Sequence, residues 1–157
     1  MTDLPVKSSR GPVPGLRRGP GYLLARLGAD SRGRWRQMLA AYNLTPHQFA
    51  LLFALSELGE AHQKQLATLI GVDPRNAVLD FRRLDDRSLI VQQPDLEDRR
   101  RRIVRLTPEG ASLVTALRRD GEQIEAEMFA PLDAEEREAL HALLLKLFDG
   151  LKSSEDN

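Results

Sequence analysis

The apolar positions of this chain follow a helical period at both ends and a strand-like period in one short stretch between them. From Tyr22 to Asn43 they recur at Leu24, Leu27, Trp35, Met38, Leu39 and Tyr42, which predicts a long first helix softened in its centre by Gly28 and Gly33. Thr45-Pro46 is the next start signal: an N-cap residue, a proline at the first helical position, and Gln48 placed to complete a capping box. Phe49, Leu52 and Phe53 are the stripe this helix is expected to bury. Leu66, Leu69 and Ile70 are expected to face inward on a third helix, and Ala77, Phe81 and Leu84 on a fourth that Asp73 caps and Pro74 opens. Gly71 lies at their junction, so the pair reads as a helix-turn-helix.

After Leu89 the period shortens to two. "LIVQQ" and "IVRLT" are β-prone runs separated by "PDLEDRRRR", which predicts a two-stranded hairpin with a long, arginine-rich tip. Thr107 then caps a helix opened by Pro108, with Leu113, Leu117, Ile124 and Met128 on one face and Pro131 as its stop. A last helix from Asp133, with Glu136 three residues on, carries Leu140, Leu143, Leu144, Leu147 and Leu151. The expected fold class is mainly α with a small β-hairpin wing, a winged helix-turn-helix of about six helices. Residues 1–21, with four prolines and four glycines, are expected to form a flexible basic N-terminal arm, residues 22–151 one domain, and 152–157 a disordered tail.

Composition narrows the function classes. The 157 residues suffice for one domain with a real core, and no apolar run approaches the ~20 residues of a membrane span. The N-terminus lacks the apolar segment of a signal peptide, which points to a cytoplasmic protein with no membrane partner. With no cysteine, disulfides, zinc-thiolate sites and thiol sensing are excluded. His47, His62 and His141 are too dispersed to suggest a metal, and no metal or cofactor is expected. There is no Walker loop, dinucleotide fingerprint or nucleophile elbow, which argues against an enzyme. Net charge is zero but unevenly spread: residues 1–40 hold 8 basic and 2 acidic groups, 75–105 hold 9 and 6, and 106–157 hold 5 and 12. A basic front and middle with an acidic tail suggest one face for a polyanion and another turned away from it.

Opposite Ala77, Phe81 and Leu84, the fourth helix presents Arg75, Leu79, Arg82 and Arg83, with Asn76 at the edge. Arginine and asparagine suit guanine and adenine edges, and an outward leucine suits a thymine methyl. Asp80, on the flank, could accept from a cytosine amino group, but pairing with a neighbouring arginine is the reading preferred for it. A basic hairpin tip suits the minor groove, where one carboxylate, Asp98, can hold a guanidinium of Arg99 or Arg100 in a fixed pose. Arg101 and Arg102, where the strand resumes, suit phosphates. Strands on both sides pin the four arginines, which disfavours a sorting signal.

The stretch "GVDPRNAVLDFRRLDDRSLIVQQPDLEDRRRRIVRLTPEG" resembles the core of the MarR (multiple-antibiotic-resistance regulator) family of winged-helix transcription factors. The shared features are the Asp98-Arg99-Arg100 wing tip, the strand ending in Leu106-Thr107, and the helix order from about Tyr22 to Leu151. The resemblance implies a homodimer joined through helices in 22–44 and 107–151, a DNA-binding lobe over 45–106, and a pseudo-palindromic operator. It implies base or groove contacts from Arg75, Asn76, Leu79, Arg82, Arg83, Asp98, Arg99 and Arg100, and phosphate contacts from Gln63 and Lys64, with Arg101 joining the DNA-binding set as a flanking phosphate anchor. It also implies a ligand-responsive repressor, whose ligand would be a small aromatic or phenolic acid. Trp35, Tyr42, His47, Phe49 and Phe53 lie on the helices that would line such a pocket, but aromatics at helical spacing read first as core. Where the family commonly has Ser or Thr, this chain has Arg75, Asn76 and Val78 in the recognition helix and His62 before the third helix, so no operator sequence carries over. A winged module for protein or RNA stays open as the alternative.

Overall fold

The computed structural model describes residues 19–155, which form six helices and a three-stranded antiparallel sheet. The order is α1 (Pro20–Ala41), α2 (Pro46–Leu58), β1 (Glu60–His62), α3 (Gln63–Leu69), α4 (Pro74–Asp86), β2 (Ile90–Pro94), β3 (Arg102–Leu106), α5 (Pro108–Met128) and α6 (Ala134–Glu155). The greater part of the expected N-terminal arm, residues 1–18, lies outside the described residues. Helix α1 begins at Pro20 and runs unbroken through Gly28 and Gly33. Proline at the first turn costs no hydrogen bond, and packing of α1 on α2 and α5 outweighs the low propensity of two glycines. At the other end α6 extends to Glu155, beyond Leu151.

Three helix starts follow from local chemistry. In α2 the capping box is complete: Gln48 N donates to Thr45 Oγ1 at 3.2 Å, and Thr45 N donates to Gln48 Oε1 at 3.1 Å. The same reciprocal pair joins Asp133 and Glu136 ahead of α6. Thr107 Oγ1 accepts from Gly110 N at 3.0 Å while donating to the Ser88 carbonyl, which seats α5 beside the entry to β2.

The hairpin expected from the sequence is joined by a third strand. β1 pairs antiparallel with β3 (Glu60↔Arg105, Ala61↔Val104, His62↔Ile103), so β3 is central, with β2 on its other side (Ile90↔Leu106 to Pro94↔Arg102). Three residues are too few for a period to show, and β1 exists because β3 offers it a free edge. Inside lie Leu51, Leu52, Leu55, Leu66, Phe81, Leu84, Ile90, Val104 and Leu117, nearly inaccessible to solvent. Each contributes about 1.5–3 kcal/mol by burial. Leu52 thus holds its expected place in α2, while Phe49 and Phe53 are only half-buried beside the core. Leu69 departs further from expectation and is 62% exposed, because Leu66, Ala67 and Ile70 set the inward face of α3 and Leu69 lies about a quarter turn away from it.

A second packed region joins α1, α2 and α5. Trp35 and Phe49 lie 5.4 Å apart and Phe49 and Phe53 4.5 Å apart, both tilted, and the Arg118 guanidinium sits 4.8 Å above the Phe53 ring. Gly121 lets α5 approach this strip, since a Cβ there would lie 2.7 Å from the Trp35 ring. The aromatics are therefore packing residues. The Tyr42 hydroxyl donates to Asp120 at 2.7 Å. That bond, with Arg119 beside it, holds the Asp120 carboxyl below the usual carboxylate range. The same bond, and then burial, raises the Tyr42 phenol.

Elsewhere large apolar side chains face out. Leu23, Leu24 and Leu27 on α1 and Leu143, Leu147 and Leu151 on α6 are exposed, although they lie on the helical stripes that the sequence marks as apolar.

Candidate nucleic-acid interface

The turn between α3 and α4 is built by Gly71, whose φ of +70° suits a residue without a Cβ. Asp73 then caps α4, its carboxylate accepting from Arg75 N at 2.8 Å. Ala77, Phe81 and Leu84 are buried and fix the rotation of α4, so Arg75, Asn76, Leu79, Arg82 and Arg83 all face outward, as the spacing requires. Leu79 is half exposed at the centre of this face, and Val78 lies exposed beside it.

Asp80 has a different partner from the arginine expected. It accepts from Gln48 Nε2 at 3.0 Å and lies 3.9 Å from His47 Nδ1. Gln48 is itself buried, so one side chain both caps α2 and anchors the flank of α4. Sequence spacing could not show this, because the contact spans 32 positions.

The wing tip is ordered by its own aspartates. Asp95 Oδ1 accepts from Glu97 N at 2.8 Å and Asp98 Oδ1 from Arg100 N at 3.0 Å, two consecutive Asx turns. Asp95 N donates to the Arg101 carbonyl and Arg101 N to the Asp98 carbonyl, which closes the tip. The guanidinium that Asp98 holds is that of Arg101, at 3.3 Å, rather than that of Arg99 or Arg100. Carboxylate and guanidinium three positions apart face each other across this turn, whereas the neighbouring arginines point away from it. Arg99 and Arg100 are exposed and, among the described residues, make no ion pair.

Gln63 and Lys64 occupy the first turn of α3, but they differ. The Gln63 amide donates to Gln92 Oε1, and Gln92 Nε2 donates to Asp85 at 3.1 Å, a chain tying α3, β2 and α4 together. Lys64 is exposed and makes no ion pair among the described residues. His62, which the sequence marks only as a departure from the family's usual Ser or Thr, stands before α3 with Nε2 3.5 Å from Asp95 Oδ2 and Nδ1 shielded from solvent without a hydrogen-bond partner. It links the base of the wing to the helix-turn-helix.

A capped helix presenting unpaired arginines, followed by a cationic hairpin, defines a winged helix-turn-helix DNA-binding protein. The sequence profile of the MarR family matches residues 44–101. The HTH-type transcriptional repressor NicR of Pseudomonas putida is 34% identical over 129 residues, 82% of each chain. Among solved structures, Bordetella bronchiseptica BpsR, described in terms of regulation of its DNA binding by 6-hydroxynicotinic acid, is 31% identical. It covers 81% of this chain and 96% of its own, with a TM-score of 0.66. A mutant of E. coli MarR complexed with operator DNA shares the fold at 23% identity, covering 81% and 91% of the two chains, with a TM-score of 0.67. The chain belongs to the MarR family and is a DNA-binding transcriptional regulator, not an enzyme. Among the described residues no helix is long and apolar enough to cross a membrane.

Proposed function

We propose that this regulator is a homodimeric repressor that holds a pseudo-palindromic operator and releases it when a small aromatic acid binds. The observation that carries the reading is the set of outward arginines on α4 and the wing tip: among the described residues Arg75, Arg82, Arg83, Arg99 and Arg100 make no ion pair, while Arg34, Arg105, Arg118 and Arg119 do. In this reading Arg75, Asn76 and Leu79 meet base edges in the major groove, and Arg82 and Arg83 lie along the same face. Arg99 and Arg100 enter the minor groove, with Asp98 shaping the tip, and Lys64 and Arg101 meet phosphates. Gln63 positions α3 through Gln92. The apolar stripes of α1 and α6 support dimerisation through the segments 22–44 and 107–151, since paired copies would remove those leucines from water. Two recognition helices so joined would meet half-sites about 34 Å apart. The small aromatic acid is suggested by BpsR.

Selection of bound duplexes from a random pool tests the first part: a two-fold symmetric consensus is expected, and enrichment without symmetry would sink the dimeric reading. Light scattering at micromolar concentration should give twice the mass of the chain. Addition of 6-hydroxynicotinate to the best duplex complex should raise its Kd, and an unchanged Kd would remove that acid as effector.

A further inference from the structure

The wing tip, residues 95–101, lies beyond the end of the sheet, whose last register pairs are His62↔Ile103 and Pro94↔Arg102. Its one large apolar side chain, Leu96, is 99% exposed and gives the tip no hydrophobic anchor. A cleft lined by Leu58, Lys64, Leu69, Arg100 and Arg102 separates the tip from α3. The polar contacts that close the tip are internal. The Asp95 and Asp98 carboxylates accept from the amides of Glu97 and Arg100, Asp95 N donates to the Arg101 carbonyl, and Arg101 pairs with Asp98. Among the described residues, the one side-chain polar contact that leaves the tip joins Asp95 Oδ2 to His62 Nε2, at 3.5 Å.

His62 stands at the N-cap of α3, with extended backbone, yet its side chain makes no capping hydrogen bond. Serine, threonine, aspartate or asparagine there would accept from a free amide of the first turn. The imidazole is turned to the wing instead, and its Nδ1 is shielded from solvent without a partner, a cost that a capping side chain would avoid. Both features argue against a role confined to α3. The contact with Asp95 is partly shielded, with 34% and 14% of the two side chains exposed, which limits screening by salt.

We propose that His62 is a positioning residue for DNA binding, reaching across to Asp95 to fix the wing tip relative to α3 and α4. One carboxylate then serves twice: Oδ1 starts the turn of the tip and Oδ2 ties that turn to the helix-turn-helix. What the duplex gains is preorganisation, because Arg99 and Arg100 are held at a set distance from the recognition helix rather than ordered on binding. The proposal rests on the reading of those two arginines as DNA contacts.

His62→Ser offers α3 a cap and cannot reach Asp95, whereas His62→Gln keeps a donor of similar reach. In His62→Ser the amides of Glu97 and Arg101 should exchange hydrogen about fivefold faster or more, while those of α3 and α4 exchange no faster than before. The duplex Kd of this variant should rise about fivefold or more, on selected and mismatched duplexes alike, and that of His62→Gln should stay within about twofold of the unmodified chain. In a chain with Arg99→Ala and Arg100→Ala, adding His62→Ser should change Kd by less than about twofold, because the tip it positions no longer holds the duplex. The proposal is overturned by unchanged tip exchange or unchanged Kd in His62→Ser, or by faster exchange spread through α3 and α4. It is overturned equally by a loss as large without the two arginines as with them, or by His62→Gln losing as much as His62→Ser. Failure of the DNA-contact reading shows separately, as undiminished duplex affinity of the Arg99→Ala, Arg100→Ala chain with His62 in place.

Discussion

The arginines of the α4–wing face and those around the α1–α2–α5 junction are the same side chain put to opposite uses. At the junction and on the outer sheet edge, Arg34 pairs with Asp30, Arg118 with Glu57, Arg119 with Asp120 and Arg105 with Glu60. On the face of α4 and the wing tip, Arg75, Arg82, Arg83, Arg99 and Arg100 have none among the described residues, and four nearby carboxylates are engaged otherwise. Asp73 caps a helix, Asp80 holds Gln48, and Asp95 and Asp98 shape the tip. These four carboxylates therefore serve the shape of α4 and the wing tip and leave those five arginines unpaired. A balanced net charge conceals this, because what matters for a phosphate backbone is which charges are already neutralised.

The comparison breaks most visibly if the scaffold behind the cations is removed. Phe81→Ala empties the space behind α4 and should cost about 3–5 kcal/mol in urea denaturation, with duplex binding lost alongside because the face is no longer held in one rotation. Next in size, Arg75→Ala or Asn76→Ala should lose about 1–3 kcal/mol of base discrimination, read as a flattened preference between selected and mismatched duplexes. Stability should stay within about 0.5 kcal/mol of the unmodified chain, since both residues are exposed.

Arg100→Ala and Arg105→Ala sharpen the contrast between free and paired cations. The first should weaken binding to all duplexes and reduce the salt slope by about 1 in fluorescence anisotropy across a salt series. The second removes a cation already paired with Glu60, and should change the slope far less. Equal slopes for the two variants would show that pairing does not sort these arginines.

The smallest effect concerns pH at the junction. Asp120 has a carboxyl lowered chiefly by the Tyr42 hydroxyl, so its stabilising contribution is present above the unfolded carboxylate value of about 3.9 and fades as pH falls through the lower folded value. Tyr42 has a raised phenol, so its contribution is complete below about 10 and fades as pH rises through the higher folded value. Tyr42→Phe should flatten both limbs of the stability profile measured by thermal melting, with the loss greatest on the neutral plateau and smallest at the extremes of pH.

Much of the fold was legible because it is local. The caps at Thr45, Asp73 and Thr107, the prolines after them and Gly71 act within a few residues, and helix starts followed from them. The outward set on α4 was legible for the same reason, since Ala77, Phe81 and Leu84 determine its rotation. Leu69 misled because its spacing is helical while the packing of Leu66, Ala67 and Ile70 sets the rotation of α3. Asp80 misled because arginines are its neighbours in sequence and Gln48 is its neighbour in space.

What the amino-acid order determined by itself was the succession of elements and which side chains each presents, because capping, turn chemistry and periodicity are settled within one or two turns. Tertiary structure alone decided the partners. It made β1 a strand by offering the edge of β3, gave Asp98 to Arg101, joined Gln63 to Gln92, and brought the wing arginines beside Leu69. The physical reason is one of range. A hydrogen bond or an ion pair acts over a few ångströms, and only the folded chain decides which distant residues come that close.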